Sequence, residues 1–185
     1  CTRSGTHPYM LSLIGAMSEH LGEAGAEKWA RGVVANFARS PRGGDTDQIK
    51  AVATGECGVA LSNTYYLARL LRSDKPDDRD LVSKISIVMP DQEGHGTHIN
   101  VSGGALARYA PHRDAATRFL EYLASDDAQR YFADGNNEWP AVPSVVVRNT
   151  ALESLGKFKQ DTLPISDIGR AQVNSARIID RAGWR

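Results

Sequence analysis

At 185 residues, 41% hydrophobic and 24% charged, the chain has the composition of an ordinary globular protein that can bury a core. Lys plus Arg equals Asp plus Glu at 22 each, so charge gives no argument for a nucleic acid or an anionic membrane surface as partner. No apolar run approaches the roughly 20 residues a spanning helix needs, so membrane insertion is not expected.

Cys1-Thr2-Arg3 reads as the end of a strand, and Ser4 to Pro8 as a turn with Pro8 suited to the first position of a helix. The helix predicted from Tyr9 to Leu21 turns Leu11, Ile14, Met17 and Leu21 inward. After Gly22 and Gly25 a second helix, Ala26 to Phe37, carries Trp29, Val33 and Phe37. Ser40 to Gly44 is a loop. Asp45 is expected to cap a third helix, with Gln48 placed as in a capping box, running to about Thr54. Gly58 to Leu61 is a continuous apolar run, the pattern of a strand covered on both faces. Ser62 or Asn63 then caps a helix on which Leu67, Leu70 and Leu71 face inward.

Ser73 to Asp78 reads as a solvated turn, Lys84 to Met89 as a strand, and Pro90 to Gly96 as a break. His98 to Val101 and Ala105 to Arg108 follow as short strands. Helices are predicted from Pro111 to Ser125 and from Asp126 to Ala133. Gly135 to Pro140 is a turn, Pro143 to Val147 is extended, and the last helix, from about Ile168 to Arg181, ends at Gly183 as a C-cap. This alternation of strands and helices predicts an α/β fold.

Tyr65 and Tyr66 fall in the first turn of their helix, at the carboxyl end of the predicted strand, where open α/β sheets bind ligands. A free phenol ionises near pH 10, so the pair is inert at neutral pH unless a highly charged cation displaces its protons. Oxygen donors suit hard cations, and the positive field of a helix N-terminus favours phenolate, so a ferric ion fits the pair. Ordinary half-buried packing is the plainer account of the same two residues.

Other chemistry is sparse. There is no GxSxG, Walker loop, HExxH or CxxC, and an enzyme is not expected. The five histidines, His7, His20, His95, His98 and His112, lack ligand spacing and read as surface or turn residues. Arg3 and Ser4, at a strand-to-helix turn, offer an anion cradle; a solvated turn accounts for them equally well. Arg69, one helical turn after Tyr65, is placed to hold a phenolate, or simply faces solvent. The two cysteines, Cys1 and Cys57, each begin a predicted strand; a bridge between neighbouring strands and two buried free thiols both remain open.

Arg3 to Tyr9, Gly43-Gly-Asp45, Asn63-Thr-Tyr-Tyr66, Gly135-Asn-Asn-Glu138 with Pro140, and Asp180-Arg-Ala-Gly-Trp184 together resemble ferric-ion-binding periplasmic proteins. These are the substrate-binding components of bacterial iron(III) ABC transporters. The resemblance implies a periplasmic-binding-protein-like (type II) lobe with a central, mostly parallel sheet flanked by helices, and a periplasmic location. It implies Fe3+ bound by the phenolates of Tyr65 and Tyr66, with Tyr9 matching a third tyrosine that some members use. Fe3+ would be accompanied by a synergistic anion, carbonate or phosphate, near Arg3, Ser4 and Asn63. The partner it implies is the permease of the transporter.

Full members of that family are longer, so residues 1–95 with 148–185 would form most of a C-terminal lobe. Residues 96–147 would cross back to an N-terminal lobe that is otherwise absent, upstream sequence having been removed before Cys1. A mature lipoprotein beginning at Cys1 is the lesser alternative, because a strand rather than a flexible linker follows. Taken alone, the chain is expected to bind Fe3+ more weakly than the whole protein and to self-associate. The competing function is a solute-binding or effector lobe of the same fold for an oxyanion or small organic acid, with no metal.

Overall fold

Helices provide nearly all the regular structure in the computed structural model, which describes residues 1–185. In chain order they are α1 (Pro8–Ala35), α2 (Asp45–Ala53), α3 (Thr64–Leu71), α4 (Pro76–Val82), α5 (Arg113–Leu123), α6 (Asp126–Asn136), α7 (Thr150–Ser154) and α8 (Ile165–Ala182). None is long and apolar enough to cross a membrane. The chain divides into two compact units: Cys1–Asn63, Asp74–Asn100 and Phe158–Arg185 form the first, Thr64–Ser73 and Val101–Lys157 the second.

In the first unit α1 packs along α8. The two helices predicted between Tyr9 and Phe37 are the two arms of α1, bent at Gly22, whose φ of 72° lies in the left-handed region that favours glycine. Met10, Ile14, Ala26 and Ala30 of α1 meet Ile178, Ile179 and Ala182 of α8 in one cluster, with Leu11, Met17, Trp29, Val33 and Phe37 packed against it. Leu21, expected inside, is 53% exposed because the bend turns it outward. Gly15 allows close approach: a Cβ there would lie 3.3 Å from Ser175 Oγ and 3.4 Å from Ala171 Cβ.

The Arg-Ala-Gly-Trp ending closes this core. Gly183, at φ 75°, ends α8 in a left-handed cap and turns the chain back, so that Trp184 is fully buried. Its indole nitrogen donates to Thr2 Oγ1 (3.1 Å) and to the Arg3 carbonyl (3.3 Å). Phe37 meets its ring edge-on, with centroids 5.8 Å apart. Gly5 leaves the room it occupies, since a Cβ there would come within 2.7 Å of the Trp184 ring.

The central parallel sheet does not form. The only β-bridge is an isolated parallel one between Thr97 and Gln160. Cys1 is bonded to the 59–61 stretch, its nitrogen donating to the Val59 carbonyl (2.6 Å) and its carbonyl accepting from Leu61 N (3.1 Å), but no ladder extends from that pairing. The stretches expected as strands at 84–89, 98–101 and 105–108 form neither helix nor strand, and 143–147, expected to be extended, joins no sheet. The physical reason is non-local: a strand needs a neighbour along its length, and these apolar runs lack one. Val59 is 75% exposed and Val88 80%, so neither is a covered strand. The architecture is therefore helical, not a helix-flanked sheet.

Two further expectations change at the helix ends. Gly44, not Asp45, is the N-cap of α2, and the Asp47 carboxylate accepts from Gly44 N at 2.7 Å. The solvated turn at Ser73–Asp78 instead leads into α4, which starts at Pro76.

The second unit contains α3, α5, α6 and α7. α3 packs against α7 and α5 against α6. Ala68 and Leu70 are buried on α3, whereas Leu71, expected inside, is partly exposed. α7 is begun by Asn149, whose side chain accepts from Ala151 N (3.0 Å) and Leu152 N (3.2 Å).

Candidate metal centre

α3 sets Tyr65 and Tyr66 side by side. Both are half-buried, with ring centroids 4.1 Å apart and planes 30° from parallel. The Arg69 guanidinium carbon lies 5.9 Å from the Tyr65 centroid and 5.6 Å from the Tyr66 centroid. A cation over two aromatic faces is attracted by both rings and brings positive charge to the place where phenolates would form. Arg69 also donates to Asn136 Oδ1 at 3.3 Å.

The Gly135-Asn-Asn-Glu138 segment closes α6 beside α3. Asn137, at φ 59°, is the left-handed cap of α6, and its Oδ1 accepts from Arg72 Nη1 at 2.8 Å and from Asn149 Nδ2 at 3.0 Å. Arg72 donates as well to the Asp134 carbonyl, and Asn136 Nδ2 to the Glu138 carboxylate. The sequence marked this segment only as a motif and a turn. Its bonds to α3 join positions more than sixty residues apart, which no local pattern reveals.

In the first unit Tyr9 stands in the first turn of α1. The Arg3 guanidinium lies 5.0 Å from its ring centroid, and His7 meets it edge-on at 4.4 Å. His7 also caps the helix, its Nδ1 accepting from Tyr9 N at 3.2 Å. Burial, and then the Arg3 charge, hold His7 below the ordinary histidine value, so its neutral, accepting form is favoured.

Arg3 donates to Asp45 Oδ1 at 2.8 Å, and Asp45 is fully buried. The other carboxylate oxygen, Oδ2, accepts from Asn63 N (2.8 Å) and Asn63 Nδ2 (3.2 Å). Asn63 Oδ1 in turn accepts from Asn100 Nδ2 at 2.8 Å. Arg3 and Asn63, both expected near an anion, therefore converge on a protein carboxylate. Arg3 Nε is buried with no partner among protein atoms, and Ser4 Oγ is hydrogen-bonded to Thr6 Oγ1 at 2.9 Å. Asp45 escaped sequence reasoning because an Asp after two glycines signals a cap; only its burial reveals the ion pair.

Three histidines expected to be scattered come together in the same unit. His20 Nε2 lies 2.8 Å from Asp161 Oδ2, His95 stacks on His20 at 3.8 Å, and His98 Nε2 is 3.1 Å from Ser12 Oγ. Burial pushes His98 below the ordinary histidine value. Burial pushes the Asp161 carboxyl up, but the His20 bond and the Leu163 amide outweigh it and leave the group below its usual range. No group of three or more His, Cys, Asp or Glu residues is arranged to hold a metal. Cys1 and Cys57 are joined by a disulfide with their Cα atoms 5.9 Å apart.

Residues 4–159 match the family described as bacterial extracellular solute-binding protein, and the chain belongs to that family. Among curated relatives, Iron uptake protein A2 of Synechocystis sp. is 46% identical over 185 residues, which is 99% of this chain and 53% of that protein. The major ferric iron-binding protein of Neisseria meningitidis is 26% identical over 95% of the chain and 50% of its own length. The structure is similar to Trichodesmium IdiA (FutA) in complex with iron and citrate, with a TM-score of 0.91 and 45% identity over 99% of this chain and 58% of that one. It is also similar to the ferric binding protein from Campylobacter jejuni, with a TM-score of 0.94 and 36% identity over 100% of this chain and 58% of that one. The chain thus spans about half the length of the curated relatives it matches.

Proposed function

We propose that the whole protein binds Fe3+ through tyrosine phenolates and delivers it to an ABC transporter permease for iron uptake, acting in the periplasm. The observation that carries this is the Tyr65–Tyr66 pair on α3, with rings 4.1 Å apart under one guanidinium, in a chain whose relatives are named for iron. Phenolate oxygens are hard donors, and two adjacent ones give a ferric ion two anionic ligands from a single helix turn. Arg69 offsets the negative charge that the pair acquires. Tyr9, in the other unit, is proposed as a third ligand on the family resemblance alone.

A synergistic anion such as carbonate or phosphate is proposed at Arg3, Ser4 and Asn63. The unpartnered, buried Arg3 Nε supports it as a donor not yet satisfied by protein. The competing reading, an oxyanion or organic-acid receptor without metal, rests on the same arginine and has Tyr65 and Tyr66 pack against each other without binding an ion.

Residues 96–147 are proposed to belong largely to an N-terminal lobe, with 1–95 and 148–185 forming most of the C-terminal lobe. The unit boundaries after Asn100 and before Phe158 support this in outline, although α3 groups with 101–157. Taken alone, this stretch is proposed to bind iron more weakly than the whole protein and to self-associate.

Tyrosinate–Fe3+ charge transfer absorbs visible light, so the whole protein loaded from ferric citrate should be coloured. Replacing both Tyr65 and Tyr66 with Phe should remove the colour and leave the far-ultraviolet circular dichroism unchanged. A colourless wild-type protein would sink the proposal.

A further inference from the structure

Resting on the reading of Tyr65 and Tyr66 as ligands, we infer that Asn136 and Asn137 are positioning residues that fix the tyrosine helix and the cation above its rings. α3 has only eight residues, a length at which a helix is marginal on its own. Two arginines three positions apart, Arg69 and Arg72, tie it to two adjacent asparagines at the end of α6. The divisions of labour differ. Arg72 bonds to Asn137 Oδ1 and to the Asp134 carbonyl, which anchors the end of α3 to the backbone of α6. Arg69 bonds to Asn136 Oδ1, which holds its guanidinium over both rings.

Each asparagine is itself oriented. Asn137 is buried, and its Oδ1 also accepts from Asn149 Nδ2, whose other contact is the Ala133 carbonyl at 2.8 Å. Asn136 gives its amide nitrogen to Glu138, so its oxygen faces Arg69. Without these anchors a long arginine side chain would sample many rotamers, and the rings would lose the fixed charge above them. Supporting groups of this kind orient metal ligands and set how tightly they hold the ion.

Variants at Asn137 separate side chain from backbone. Asn137→Gly keeps the left-handed cap and removes the acceptor; Asn137→Asp keeps an acceptor for Arg72 and Asn149. In the whole protein loaded from ferric citrate, iron loss into excess desferrioxamine is followed through the visible band. Asn137→Gly and Asn136→Ala should hold iron roughly 10- to 100-fold less tightly and shift the band maximum, and Asn137→Asp should restore both. In the iron-free protein, hydrogen exchange of the α3 amides should quicken in Asn137→Gly while α1 and α8 are unchanged. If α3 exchange quickens but band and retention stay as in wild type, the residues are structural only and the inference is overturned. A wild-type protein with no band would instead refute the ligand assignment itself. Should Asn137→Gly fail to fold, Asn136→Ala, at a half-buried site, decides alone, and an unshifted band there overturns the inference.

Discussion

In the unit that contains α1 and α8, large apolar side chains close on one another: Ile14, Ile178 and Trp184 are fully buried, and a disulfide joins Cys1 to Cys57. In the unit that contains α3, the buried alanines Ala68, Ala128, Ala133 and Ala151 equal in number the larger buried apolar side chains, Leu70, Val145, Leu152 and Leu155. Large aromatic residues such as Tyr109, Phe119 and Tyr131 are exposed there. What ties α3 in place is polar, running from Arg69 and Arg72 through Asn136, Asn137 and Asn149. The first unit is therefore expected to tolerate loss of a surface polar group and to fail on loss of core volume. In the second, removing one hydrogen-bonding group disturbs the helix that carries the candidate ligands, because a half-satisfied polar network costs more than its individual bonds suggest.

The largest effect should come from the core of the first unit. Trp184→Ala removes a fully buried ring and two hydrogen bonds from its indole, at a cost of about 3–5 kcal/mol. Urea unfolding should show that loss in the midpoint. A shift as small as that of a surface substitution would mean that Trp184 does not close the core of the first unit.

Next comes the disulfide, expected to contribute roughly 2–4 kcal/mol by closing a long loop. Thiol counting in denaturant without reductant should find no free thiol, and reduction should lower the unfolding midpoint. Two free thiols in the isolated protein would remove this support from the first unit.

Acid provides a third contrast. His98 is held neutral by burial, so the unfolded chain binds its proton at higher pH than the folded chain does. The stability it contributes is present above the ordinary value of 6.5 and declines as pH falls below it. His7 acts in the same direction. Urea midpoints at pH 7.5 and 5.5 should therefore differ more in wild type than in His98→Gln. An equal difference in both would show that His98 carries no such linkage.

The smallest effect is expected at the exposed aromatic face of α5. Phe119 is 60% exposed, so Phe119→Ser should change stability by no more than about 0.5 kcal/mol. It should nonetheless reduce light scattering by the isolated chain, if that face drives self-association. Unchanged scattering would exclude Phe119 from the contact.

Much of the helical half of this picture was legible beforehand. Periodicity located α1, α2, α3, α5, α6 and α8, and Gly183 marked the end of α8, because these signals are local. The same reasoning failed on the sheet: Gly58–Leu61 and Lys84–Met89 have the composition of buried strands, yet strand pairing depends on residues far away in the chain. The tyrosine pair was legible as chemistry, and Arg69 as its neighbour, since both follow from spacing on one helix. Asp45 as a buried partner of Arg3, and Asn136 and Asn137 as anchors of α3, were not legible as such. Those roles exist only once segments distant in sequence meet.

Resonance Raman spectroscopy of the iron-loaded whole protein tests the central claim most directly. Excitation within the visible band should enhance tyrosinate ring modes in wild type. Those modes should weaken in Tyr65→Phe and in Tyr66→Phe and disappear in the double variant. Iron retained by the double variant with the tyrosinate modes intact would contradict the assignment of Tyr65 and Tyr66 as its ligands.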